Sequence, residues 1–148
     1  MKGPIKNYTT EISAQKSQGE IEQALVRVGA ERIMKEYKDG KVVSFSFQIT
    51  LPGSPVPVFF KLPAQVEACF EILWKEVGST RAKRAKWEMQ AERTAWRIVR
   101  DWTLIQVAMI ELKQAEFQQV FLPYVYDPDT NQTLYDRVKE RGISLLEK

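Results

Sequence analysis

Apolar and polar positions change period several times along the chain, and the changes mark out its elements. Residues 5–12, with Tyr8, Thr9, Thr10 and Ile12, predict a strand, at a sheet edge or extending the sheet. Ser17-Gln18-Gly19-Glu20 has capping-box spacing, and Ile21, Leu25 and Val28 recur at helical intervals before Gly29. A short amphipathic helix is therefore predicted over 18–28. From Arg32 the period falls to two. Strand candidates at 32–37 and from 42 onward flank Lys38-Asp39-Gly40-Lys41, and Asp-Gly between extended runs predicts a tight type I′ hairpin. On the returning strand Val43, Phe45, Phe47 and Ile49 share one face, while Val42, Ser44, Ser46 and Gln48 share the other, wetter one. After the turn residues 51–55, Val56, Val58, Phe60 and Leu62 alternate again, completing a three-stranded meander.

Pro63 closes the sheet and can open a helix carrying Val66, Phe70, Leu73 and Val77, which Gly78 ends. Ser79 or Thr80 can cap the next helix, predicted to be long, over about 81–114. There Ala91, Ala95, Ile98, Trp102, Ile105, Met109 and Leu112 recur at alternating spacings of four and three. Trp96, Val99, Val107 and Ile110 form a second apolar stripe, so this helix is expected to be covered by other elements or by a second subunit. Phe121-Leu122-Pro123-Tyr124-Val125-Tyr126 is expected to be extended. Residues 127–131 form a turn-rich loop, and Thr133 with Asp136 can cap a last short helix ending near Gly142. The whole predicts a single α+β domain over 1–148: an antiparallel sheet of three to four strands packed against helices, one of them long and in the carboxy-terminal half.

Composition narrows the chemistry more than the fold. The 148 residues are 44% hydrophobic and 28% charged, ordinary for a globular chain. With 22 Lys and Arg against 19 Asp and Glu, bulk charge does not by itself imply nucleic acid. There is no histidine and one cysteine, Cys69, which removes imidazole catalysis, His-based metal sites and intrachain disulfides. A lone thiol fits a reducing cytosol, no apolar run follows the N-terminal residues as in a secretory leader, and the most apolar stretch, 102–112, is short of a membrane span, so a cytoplasmic chain is expected. Cys69 beside the Val66–Phe70–Leu73 stripe reads as a buried thiol. The loop from Asp127 resembles half of a calcium loop, but Gln132 stands at the turn-glycine position and Val138 at the twelfth. No glycine-rich phosphate loop, catalytic motif or cofactor site is present.

The unusual feature is cationic. Between 81 and 100 lie Arg81, Lys83, Arg84, Lys86, Arg93, Arg97 and Arg100, opposed only by Glu88 and Glu92. Lys86, Arg93, Arg97 and Arg100 are spaced to share one helical side. Guanidinium forks suit phosphate oxygens, and Trp87 and Trp96, with Tyr124, offer rings for stacking a base. The competing reading is a helix face whose cations pair with carboxylates such as Glu88, Glu92 and Asp101. Arg97, Arg100 and Asp101 interrupt an apolar run, so either they pair internally or they line a polar pocket.

The segments Ala91-Glu92-Arg93-Thr94-Ala95-Trp96-Arg97-Ile98-Val99-Arg100-Asp101-Trp102, Phe121-Leu122-Pro123-Tyr124, Thr133-Leu134-Tyr135-Asp136 and Lys6-Asn7-Tyr8-Thr9-Thr10 cover much of the chain. Together they resemble a group of small uncharacterised proteins of bacteriophages, prophages and other mobile elements. The resemblance carries over no activity and no residue roles. It implies a setting in which small proteins serve replication or recombination, or disarm host immunity, some by sequestering nucleotide signals. Two functions follow. One is a non-enzymatic binder of a nucleotide or single-stranded nucleic acid through Lys86, Trp87, Arg93, Trp96, Arg97, Arg100 and Tyr124. The other is an interaction or structural subunit that forms a homo-oligomer through the long helix. An enzyme, such as a metal-dependent phosphoesterase working with carboxylates alone, has no ligand spacing behind it.

Overall fold

Ser13 starts the first helix, α1 (Ala14–Arg27), because its Oγ accepts the backbone N–H of Lys16 at 3.1 Å. The helix thus begins four residues before the expected start, and Ser17 is fully buried inside it instead of capping it. The computed structural model describes residues 5–76 and 84–142, which fall into two compact units. Val77, the Gly78 stop, the Ser79 or Thr80 cap, Arg81 and Lys83 lie outside the described residues.

The first unit joins Met1–Leu25 to Ala64–Val107. It holds most of α1, then α2 (Val66–Glu76) and most of α3 (Arg84–Glu111). Cys69 and Leu73 of α2 pack against Ala91 and Ala95 of α3 in one apolar cluster, flanked by Ile5, Tyr8, Val66, Phe70 and Trp87. Small side chains at 91 and 95 let the two helices approach closely. Residues 5–12 are not the expected strand. Asn7 has φ +64° and Thr10 N–H donates to Asn7 O at 3.0 Å, so the chain turns. Its polar groups are spent on α3 instead of on a sheet edge.

The second unit joins Val26–Pro63 to Ala108–Lys148. Strands β1 (Arg32–Lys38), β2 (Lys41–Ile49) and β3 (Val58–Pro63) form an antiparallel sheet in the order β1-β2-β3. Asp39 and Gly40 both have positive φ, at 53° and 77°, as the predicted hairpin turn requires. Phe47 and Phe60 on one sheet face stack at 5.2 Å and meet Phe117 and Phe121 of α4 (Phe117–Phe121) edge-on. The protein is therefore α+β, a three-stranded antiparallel sheet packed against helices, with one long helix. A register shift between Glu36 and Tyr37 pairs Tyr37 with Val42 and leaves Val43 unmatched. This turns Val42 into the core, against the strict alternation expected.

Lys113 ends α3 in a left-handed conformation (φ +59°). Its N–H bonds Ile110 O and that of Gln114 bonds Met109 O, the Schellman pattern. Residues 121–124, expected extended, are helical: α4 runs into a 3-10 turn, Leu122–Tyr124, whose first turn accepts Pro123 without losing a hydrogen bond. Tyr126–Asp127 (β4) and Gln132–Thr133 (β5) form a separate small hairpin. Thr133 and Asp136 cap α5 (Leu134–Arg141) reciprocally, as expected.

Candidate functional site

On α3 the residues Gln90, Arg93, Thr94, Arg97, Arg100 and Asp101 share one polar side by helical spacing. Residues 5–12 and α1 supply its partners. Thr10 O accepts Gln90 Nε2 at 3.0 Å and Arg93 Nε at 3.3 Å, and Asn7 O accepts Thr94 Oγ1 at 3.1 Å. Arg93 also donates to Gln90 Oε1. Asp101 accepts from Asn7 Nδ2 at 2.9 Å and Arg100 Nη1 at 3.0 Å, and pairs with Lys6 Nζ at 3.2 Å. Glu20, from α1, accepts from Arg100 Nε and from Arg97 Nη1 at 3.3 Å. Arg97 lies 3.9 Å from Asp101 as well.

Arg97, Arg100, Glu20 and Asp101 therefore make a charge-balanced quartet of two cations and two anions. Its side chains are one-quarter exposed or less, near enough. Arg100 holds the Glu20 carboxyl below its ordinary range, against the opposing effect of burial. At Asp101 burial pushes the other way first, and hydrogen bonds from Asn7, Arg100 and Lys6 outweigh it, so this carboxyl is also held low. Burial works against the charge on Arg100, and its bonds to Glu20 and Asp101 overcome that and raise its affinity for the proton. The quartet fastens α1 and α3 by charge-assisted bonds. Its guanidiniums are spent on internal carboxylates, which corrects the expectation that Arg97 and Arg100 face a visitor.

The other predicted positions divide. Trp96 is 0% exposed and belongs to the core, so its ring has no surface to offer a base. Trp87 is half-buried against the Cys69–Leu73–Ala91–Ala95 cluster, with the exposed Lys86 at 5.8 Å from its ring centroid. Among the described residues the buried Trp87 Nε1 has no hydrogen-bond acceptor. Arg84 pairs with Glu88 at 3.0 Å and lies over Phe70 and Trp74, which are stacked on each other. Tyr124 belongs to the second unit, in the 3-10 turn, half-buried. Arg93 differs from its neighbours, since among the described residues its charge meets only neutral oxygens.

Glu20, Asn7 and Thr10 complete this polar face and escaped the sequence reading. Glu20 was legible only as a capping residue, and its pairing spans about 80 positions of chain. Cys69 is buried, with its thiol pushed up to about 11 by burial, a packed and unreactive sulfur at neutral pH. Among the described residues no group of His, Cys, Asp and Glu could hold a metal ion, and no helix is long and apolar enough to cross a membrane. No protein-family model, curated protein or solved structure matches the chain.

Proposed function

We propose that the protein is a non-enzymatic interaction subunit that assembles with a second copy through the apolar stripe of α3. The observation behind this reading is Ile105, 58% exposed on the stripe that begins in the core at Ala91 and Ala95. α2 has 11 residues and α3 has 28, roughly 16 Å against 42 Å of helix. Among the described residues, Ile98 and Trp102 are partly exposed on the way from Ala95 to Ile105. Its recurrence at sevens (91, 98, 105 and 95, 102) is the repeat that keeps a seam facing a partner helix. A second copy carries the same seam and satisfies two-fold pairing. Light scattering on the full chain tests this. A dimer that Ile105→Glu converts to a folded monomer supports it, and a wild-type monomer at tens of micromolar overturns it.

Arg93 favours a second reading, a phosphate-bearing ligand. Among the described residues its charge is met only by neutral oxygens, and Lys86, seven positions earlier on the same side, has no carboxylate partner. In the mobile-element setting that the motifs resemble, such a protein sequesters a nucleotide signal or holds single-stranded nucleic acid. Loss of nucleotide or oligonucleotide binding in Arg93→Gln is the result this reading requires.

A further inference from the structure

The sheet has two faces, and only one is taken up by the phenylalanine cluster. On the other, the register sets Arg32, Gln48 and Phe59 side by side across the three strands, followed by a row of Met34, Ser46 and Lys61. Strands lie about 4.8 Å apart, so a guanidinium, an amide and an aromatic ring are neighbours in the first row. Phe59 is 39% exposed and Met34 60%, Arg32 is exposed and Gln48 half-exposed. An outward aromatic beside a cation on an open sheet face is the arrangement on which unpaired bases stack.

The register puts Arg32 and Lys61 on this face, whereas Lys35 pairs with Phe45 and lies over its ring at 5.6 Å on the other. Glu36 is already spent on Lys61, at 3.2 Å, and adjacent Glu31 accepts Thr50 N–H at 3.0 Å. Among the described residues Arg32 forms no ion pair. Lys61 also donates to Asn131 Oδ1 at 2.9 Å and lies over the Tyr126 ring at 5.1 Å. Its bridge to Glu36 spans β2, where the partners of Lys61 and Glu36 are Ser46 and Ser44. Both serines are buried and, among the described residues, neither hydroxyl has a hydrogen-bond partner. Small side chains at 44 and 46 leave room for the bridge.

We infer that this outer sheet face binds single-stranded nucleic acid, with a base stacked on Phe59, Gln48 at the base edge, and Arg32 on a phosphate. An open face suits a strand, because a lone nucleotide needs an enclosing pocket for comparable contact. The inference shares the ligand class of the Arg93 reading and uses none of its residues.

The test is fluorescence anisotropy of a labelled oligothymidylate, about 15 nucleotides long, with the full chain at about 50 mM salt. Binding is expected to weaken at least about tenfold in Phe59→Ala, the loss of one stacked base. Arg32→Gln should weaken it severalfold and flatten its salt dependence, while Arg93→Gln leaves it unchanged. Phe59→Leu keeps apolar bulk and shows the same loss if stacking is the cause, which guards against a misfolded alanine variant. Absence of wild-type binding overturns the inference, as does wild-type affinity in folded Phe59→Leu and Arg32→Gln. Loss in Arg93→Gln alone overturns it too and leaves the α3 reading standing. Equal competition by a mononucleotide also overturns the assignment to a strand.

Discussion

At the residue scale the clearest physical statement concerns Glu20 and Asp101. Both carboxyls are held below their ordinary range by the arginines and amide packed against them. A depressed folded-state value means stability that is fully present above the unfolded carboxylate range, near pH 4, and lost as the pH falls through the folded-state value. Acid should therefore destabilise the first unit from about pH 5 downward. Glu20→Gln leaves Arg97 and Arg100 short of one partner and is expected to cost roughly 1–3 kcal/mol at neutral pH. It should also make the acid-side decline of the melting temperature shallower. Differential scanning calorimetry of both proteins from pH 7 to pH 3 checks this. A variant with the same midpoint at pH 7 and the same acid slope would show that the quartet is solvated and contributes little.

At the element scale, what was legible in the sequence is what neighbouring residues decide. The Asp39-Gly40 turn, the apolar face of Phe45, Phe47 and Ile49, and the Thr133–Asp136 capping box all rest on interactions within a few positions, and all stand in the structure; the other face of that strand is not the wetter one expected, because Ser44 and Ser46 are buried. Thr133→Ala is expected to cost about 1 kcal/mol, concentrated in α5. Amide exchange should quicken across 134–141 and stay unchanged in the sheet; uniform exchange across the chain would refute a local role for the cap. What was not legible needed distant partners. The segment 5–12 reads as a strand until Gln90, Arg93, Thr94 and Asp101 are known to meet it. The seven-residue count that put the arginines on one side of α3 was sound. It could not say that Glu20 waits there, nor that Trp96 faces inward. Ser17 has the spacing of a cap, and a serine cap and a buried serine look alike in one dimension. Ser13, four positions earlier, does the capping.

At the scale of the whole molecule, the two proposed surfaces are opposite in chemistry and lie in different units. The α3 seam presents Ile98, Trp102 and Ile105 in the first; the sheet face presents Arg32, Gln48 and Phe59 in the second. Apolar docking gains or holds in salt, because added electrolyte does not weaken hydrophobic contact. Phosphate contacts weaken, since each cation that releases counterions from a single strand contributes a slope of about −0.7 in log affinity against log salt. One contact, Arg32, gives a slope of about −0.7, or roughly a 2.6-fold loss of affinity between 50 and 200 mM salt. Over that range the dimer fraction should stay level. Ile105→Glu should abolish the dimer and leave the salt slope of oligonucleotide binding unaltered. Arg32→Gln should do the reverse, lowering the slope by about 0.7 with the dimer intact. In a dimer the second sheet face adds avidity only for strands long enough to reach both, so an oligonucleotide of several times the length should bind the wild type, and not Ile105→Glu, more tightly than the short one. Sedimentation and anisotropy on the same salt series read both surfaces at once. A dimer that dissolves with salt in step with oligonucleotide release would show one shared surface in place of two.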